Sequence, residues 1–336
     1  MKAAIFAYSR RGCETVHRVI RCLEWDECRI YTMERFREKG FSPLAKSVYG
    51  EAFGQCDALI FVGSCGIAVR EIAPWVKDKR TDPAVLCIDE LGMFVIPLLS
   101  GHIGGANALA RELAEKLQAT PVITTATDIN HKFSVDAWAV RNGYAISSMG
   151  AVKAVSAEIL EREVPLYSDF PISSRLPSGV IPGDRGDVGI FLTYRKAEPF
   201  AQTLRLIPRV LHLGIGCRRG TPAAAIADAV NRVLEDNELD HLAVKTAASI
   251  DLKAQEPGLL AFCRENGWPI SFYSAEELRR IQGDFTPSAF VQSITGVDNV
   301  CERAALLGAE KLIVKKTACS GITVAVAAEH WEVHFG

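Results

Sequence analysis

Over the first 130 positions, short unbroken apolar runs alternate with stretches of helical period. Five-residue apolar runs bounded by turns predict strands buried on both faces. Strands are expected at 3–7, 28–31, 58–62, 84–88, 94–99 and 122–124, and helices at 12–23, 43–53 and 67–76 and through Leu109, Leu113 and Leu117. Such alternation predicts an α/β fold with a parallel sheet covered by helices on both sides. From 143 to 209 the texture changes: Pro165, Pro171, Pro177, Pro182, Pro199 and Pro208 accumulate around short apolar runs, which predicts a small β-containing unit or linker. From 210 the α/β rhythm returns, with strands at 210–215, 242–247, 269–273, 312–314 and 322–327 and helices at 222–234, 254–266 and 297–307. Thr221 and Pro222 read as N-cap and first helical position, and Ser274 to Glu277 as a capping box. The predicted architecture is two Rossmann-like three-layer parallel-sheet domains, 1–142 and 210–336, joined by a small β-containing middle segment, 143–209.

Composition narrows the function classes. The 336 residues carry a net charge of -2, so no basic field points to nucleic acid. No apolar run approaches the roughly 20 residues that span a bilayer. The N-terminal apolar stretch ends at Arg10 and Arg11 and reads as a buried strand, not a signal peptide; a cytoplasmic location is expected. Ten cysteines are scattered without a Cys-x-x-Cys pair, which predicts reduced, mostly buried thiols and no protein metal site.

The candidate chemistry falls in turns after predicted strands, where ligands of such sheets sit. The foremost is Ser100-Gly101-His102-Ile103-Gly104-Gly105-Ala106-Asn107. It places an imidazole beside backbone N–H groups at a helix start, a reaction site or an anion seat. His102 reads as a general base or as a structural loop histidine. Asp128, in Thr124-Thr125-Ala126-Thr127-Asp128, would orient it or cap a helix; Glu90, beside Asp89, is a second candidate carboxylate. The turn holding Ser64 and Gly66 precedes a helix bearing Arg70 and lacks a nucleophile-elbow pattern. Gly214-Ile215-Gly216-Cys217-Arg218-Arg219-Gly220 is a near-miss for a dinucleotide fingerprint, and its arginines suit a carboxylate or phosphate. Lys253, Glu256 and Lys315 lie near later strand ends. His212, inside an apolar strand, reads as a satisfied core residue.

Several of these segments resemble the cobalt-precorrin-5A hydrolases of anaerobic cobalamin biosynthesis. They are 57–70 (DALIFVGSCGIAVR), 72–85 (IAPWVKDKRTDPAV), 96–109 (IPLLSGHIGGANAL), 121–128 (PVITTATD), 214–221 (GIGCRRGT), 248–259 (ASIDLKAQEPGL), 272–278 (FYSAEEL) and 313–326. Both α/β ends are covered in order; 143–209 matches poorly. The resemblance implies opening of a δ-lactone on a cobalt tetrapyrrole, release of acetaldehyde and formation of cobalt-precorrin-5B. Cobalt would be carried by the substrate, with no cofactor bound by protein residues. On that reading His102 is the base, oriented by Asp128 or Glu90, and N–H groups around Gly104 and Gly105 bind the oxyanion. Arg70, Arg218, Arg219, Lys253 and Lys315 would bind carboxylate arms. Ser64, Gly66, Ser100, Gly101, Gly104, Gly105, Asn107, Thr125, Cys217 and Glu256 would complete the substrate contacts. Two other readings stay open: a non-catalytic corrinoid-binding or handover protein serving the pathway methyltransferases, and a nicotinamide-dependent oxidoreductase using the Gly214–Gly220 loop. The oligomeric state is unspecified, with a homodimer among the options.

Overall fold

The computed structural model describes residues 1–78 and 81–335, apart from the side chain of Phe290. Lys79 and Arg80, within the matching segment 72–85, lie outside the described residues. Two compact units divide the chain, Met1–Trp138 and Ala139–Gly336.

The first unit is built on seven strands: β1 (Lys2–Ala7), β2 (Glu27–Thr32), β3 (Ser42–Pro43), β4 (Ala58–Val62), β5 (Ala84–Ile88), β6 (Phe94–Leu99) and β7 (Thr120–Pro121), in the order β3-β2-β1-β4-β5-β6-β7. Alternate residues of each central strand serve opposite layers, as the two-residue period of a strand requires. Ala3, Ile5 and Ala7 pack with Val16 and Val19 of α1 (Arg10–Cys22) and with Leu113. Ala4, Phe6, Leu59 and Phe61 pack with Tyr49 of α2 (Ser47–Gln55) and Ile72 of α3 (Cys65–Ile72). This is the expected three-layer arrangement, with one departure. β6 runs antiparallel to β5, pairing Val85 with Leu99 and Ile88 with Val95. Only five residues separate the two strands, too few for the dozen or more that a parallel crossover needs. Asp89 closes the hairpin by accepting the N–H groups of Leu91, Met93 and Phe94. The chain leaving β6 therefore emerges at the end of the sheet opposite the outlets of β1, β4 and β5. It enters α4 (Ala106–Leu117) there.

In the second unit, β8 (Ala145–Ile146), β9 (Val164–Ser168), β10 (Val180–Pro182), β11 (Val188–Leu192) and β12 (Gln202–Ile207) form a sheet in the order β10-β9-β11-β12-β8. A second sheet holds β13 (Leu211–Cys217), β14 (Val244–Ile250), β15 (Ile270–Tyr273), β16 (Lys311–Cys319) and β17 (Ile322–Ala328) in the order β15-β14-β13-β17-β16. β13, β14 and β15 are parallel, whereas β16 and β17 form an antiparallel hairpin. Its turn is Ser320-Gly321, both at positive φ, as two-residue hairpin loops prefer. β16 is nine residues long, not the three expected. Leu211, Leu213 and Ile215 pack on one side with Ile226 and Val230 of the helix Ala223–Asp236. On the other side the helix Cys301–Leu306 lies so close that a Cβ on Gly214 would fall 1.8 Å from the Cys301 carbonyl oxygen.

Candidate functional site: a closed ionic cluster and an open cationic cavity

The Ser100–Asn107 turn is pinned from every side. Ser100, at φ +57°, is buried and donates its hydroxyl to the Asp82 carbonyl at 2.9 Å. A Cβ on Gly104 would lie 2.3 Å from that of Ser100, so only glycine fits this close approach. Gly105, at φ +80°, is the N-cap of α4. The N–H groups of the helix start are already engaged: Gly105 donates to the His102 carbonyl, Ala106 to that of Ser100 and Asn107 to that of Gly101. Gly105 therefore offers no free donor to an oxyanion.

His102 and Asp128 do meet, with Nε2 3.0 Å from Oδ2. The other ring nitrogen, Nδ1, lies 3.4 Å from Asp136 Oδ1, a partner that the sequence reading missed. Asp136 is buried and also accepts from the Ser134 hydroxyl and the Ala137 N–H. The bond to Asp136 raises the imidazole pKa; burial opposes the rise, and Asp128 adds to it. Both ring nitrogens thus face carboxylates, an environment that favours the charged form. In this arrangement His102 ties the turn to Asp128 and Asp136 through both ring nitrogens. Asp128 is itself held below its ordinary pKa. Burial alone would raise it, and this is outweighed by Arg111, His102 and Asn107. Buried Asn107 donates to Asp128 at 2.8 Å and to Thr125 at 2.9 Å, so Asn107 and Thr125 act within this network.

Glu90 does not take part. It follows β5 at the far end of the sheet and accepts the Ser9 hydroxyl at 2.7 Å. The steps from Val85 to Ile88 alone put about 10 Å of strand between that end and the His102 loop. Ser64, which caps α3 by accepting the Gly66 N–H, lies at that far end too, and Arg70 is exposed in the last turn of α3. The reversed direction of β6 puts the Ser100–Asn107 turn at the end of the sheet opposite Ser64 and Glu90.

The second unit contains a cavity of about 470 Å³ at the outlets of β13 and β14, walled by the β16–β17 hairpin and the segment 288–301. Ile250, Val291, Ile294, Val300, Ala318 and Ile322 give it apolar surface, and Arg218, Arg219, Lys253 and Lys316 supply four cations. Among the described residues neither Arg218 nor Arg219 pairs with a carboxylate. Cys217 also lines the cavity; burial pushes its thiol pKa up, which disfavours the reactive thiolate. Glu256, buried, accepts the Gly220 N–H at 2.6 Å and lies 3.3 Å from Lys253 Nζ. It ties the arginine-bearing loop to that lysine without lining the cavity. Lys315 is a correction: it points to Asp284, 2.7 Å away, and its neighbour Lys316 lines the cavity instead. Thr221 donates its hydroxyl to the Arg218 carbonyl, and Pro222, not Thr221, is the N-cap of the following helix.

Two glycines of the Gly214–Gly220 stretch serve packing, and Gly220 turns the chain at φ +75°. Gly214 faces the Cys301 backbone, and a Cβ on Gly216 would lie 2.5 Å from the Thr323 hydroxyl oxygen. The fingerprint-like spacing is explained without a dinucleotide. His212 is the buried core residue expected, bonded to Thr246 and 3.2 Å from Glu329. Among the described residues no group of three or more His, Cys, Asp or Glu side chains is placed to hold a metal ion. No helix among them is long and apolar enough to cross a membrane.

Comparison with known proteins agrees with the motifs. Residues 47–128 match the family described as Cobalamin synthesis G N-terminal, and 211–327 match Cobalamin synthesis G C-terminus. The chain is 39% identical to the cobalt-precorrin-5A hydrolase of Salmonella typhimurium, over 89% of this chain and 91% of that protein. It is 34% identical to the cobalt-precorrin-5A hydrolase of Priestia megaterium, over 96% and 94% respectively. A solved structure of a cobalamin biosynthesis protein G homolog from Sulfolobus solfataricus is 24% identical, covers 98% of this chain and 97% of its own, and has a TM-score of 0.40. On the strength of the two long matches and of both family regions in order, the chain belongs to the cobalt-precorrin-5A hydrolase family.

Proposed function

We propose that this chain hydrolyses cobalt-precorrin-5A, opening its δ-lactone and releasing acetaldehyde to leave cobalt-precorrin-5B. The observation that carries the reading is the 39% identity to a cobalt-precorrin-5A hydrolase across nine-tenths of both chains. The cavity of the second unit supports it. Apolar walls suit the face of a macrocycle, and four cations from three chain segments suit carboxylate arms that leave a ring in different directions. Arg218 and Arg219 come from the loop after β13, Lys253 from the turn after β14 and Lys316 from β16.

In the reaction, water adds at the lactone carbonyl and the ring C–O bond breaks, freeing a carboxylate and a hydroxyethyl group. Transfer of the hydroxyl proton to solvent lets the carbon–carbon bond break; acetaldehyde departs, the bonding electron pair passes into the conjugated macrocycle, and a solvent proton is taken up there. The guanidiniums of Arg218 and Arg219 stabilise carboxylates, including the one newly formed, while remaining charged themselves. Cobalt belongs to the substrate, and the protein supplies positioning and charge. His102, Asp128 and Asp136 hold the Ser100–Asn107 turn in its shape.

The test is incubation with cobalt-precorrin-5A, following acetaldehyde and the product mass. Stoichiometric acetaldehyde with cobalt-precorrin-5B as product is expected. Tight binding without acetaldehyde would replace the hydrolase by a corrinoid-handover protein.

A further inference from the structure

Glu302 is completely buried and has no part in the chemistry described so far. A buried carboxylate is costly unless its oxygens are satisfied, and here three donors reach it. The Lys316 N–H reaches Oε1 at 2.6 Å, the Thr286 hydroxyl reaches Oε1 at 2.9 Å and the Thr286 N–H reaches Oε2 at 2.8 Å. The first donor sits at an irregularity. Val314 pairs with Val326 and Thr317 with Val324, so three steps on β16 match two on β17, which is a one-residue bulge. A bulge breaks the ladder and leaves backbone groups in need of other partners; Glu302 is the partner of Lys316. The same residue gains a second anchor, since its Nζ donates to the Thr286 carbonyl at 3.0 Å. Asn299 closes the set by donating to that carbonyl at 2.8 Å and accepting the Glu302 N–H at 2.8 Å.

We infer that Glu302 is a positioning residue for the substrate site: it holds the β16 bulge and Thr286 in register so that the Lys316 ammonium is presented at the cavity to a carboxylate arm. This rests on the cavity being the tetrapyrrole site. It also explains why Lys316, rather than adjacent Lys315, lines the cavity. Lys315 lies at the same bulge, but its charge is spent outside on Asp284. Glu302 makes no contact with substrate in this account; it acts through Lys316.

The test is steady-state acetaldehyde release by wild type, Lys316→Met, Glu302→Gln and the double variant. Glutamine would turn an NH2 donor toward donors that now find an acceptor. Each single variant is expected to raise KM about tenfold with kcat within about threefold, and the double variant no more than the larger single. Glu302→Asp should restore part of the loss. Should Glu302→Gln fail to fold, Thr286→Val, which keeps the backbone bond to Glu302, is expected to raise KM about threefold. A drop in kcat at unchanged KM, a multiplicative double variant, or wild-type KM in Thr286→Val would overturn the inference. Wild-type KM in Lys316→Met would overturn it while acetaldehyde release still upheld the hydrolase; no acetaldehyde from the wild type would condemn the hydrolase reading itself.

Discussion

Two glycine-rich turns each carry charged side chains, and these are spent differently. In the Ser100–Asn107 turn, N–H groups at the start of α4 bond to carbonyls of the same turn, and the two histidine nitrogens face Asp128 and Asp136. Arg111, the nearby cation, is also bound to Asp128. In the Gly216–Gly220 turn the peptide is anchored by Glu256, yet the two guanidiniums are left without carboxylate partners at the edge of a cavity. Charges satisfied internally hold a fold, whereas charges left open beside apolar surface are available to a ligand. A histidine in a glycine-rich turn is the more conspicuous sequence feature, but the pairing of its nitrogens decides what it can do.

The largest effect expected from this contrast is on binding. Arg218→Ala/Arg219→Ala should weaken cobalt-precorrin-5A about 100-fold, about 3 kcal/mol, as two charge-assisted contacts are lost; equilibrium titration of the substrate checks this. Next comes Asp136→Ala. It leaves His102 one carboxylate short and should cost about 2 kcal/mol in urea unfolding, less than a wholly buried pair because the ring is partly exposed. Its substrate affinity should stay within about twofold of wild type, and a parallel loss of binding would erase the distinction between the two turns.

A smaller effect is the pH dependence of stability. The folded pKa of His102 is raised, so its contribution is fully present below the unfolded value of about 6.5 and is lost as pH rises through the folded value. The folded pKa of Asp128 is lowered, so its contribution holds above about 3.9 and is lost as pH falls through the folded value. Unfolding titrations of wild type and His102→Gln should therefore differ in slope on the alkaline side of pH 6.5. Equal slopes there would remove His102 from the ionic cluster. The smallest effects belong to residues outside both turns. Lys315→Met and Glu90→Gln should each leave KM and kcat within about twofold, since one pairs with exposed Asp284 and the other with Ser9; kinetics of acetaldehyde release checks both.

The buried strands were legible because runs such as 58–62 have no polar residue to place in water, and the three-layer arrangement follows from them. The direction of β6 was legible too, since five residues cannot carry a parallel crossover, yet the helix after it drew the reading toward a standard β–α repeat. That one reversal separates Glu90 and Ser64 from His102. Pairing of His102 with Asp128 was anticipated from two polar turns after strands. Asp136 was hidden because an acidic residue in the first turn of a helix usually serves the helix itself. Lys316 could not be told from Lys315, since a bulge changes which side chain reaches a surface and leaves no mark in the alternation of residues. Glu302 was unreadable for a related reason: its donors come from Thr286 and Lys316, brought together only by the fold.

The proposed division of labour puts the substrate in the cationic cavity and leaves His102 to hold the fold. It is tested most directly by acetaldehyde release from cobalt-precorrin-5A with His102→Gln and Arg218→Ala/Arg219→Ala measured side by side. Expected are a kcat within about threefold of wild type for His102→Gln and a KM raised about 100-fold for the arginine pair. A kcat reduced 1,000-fold or more in His102→Gln that unfolds like wild type, with wild-type KM in the arginine variant, would contradict it.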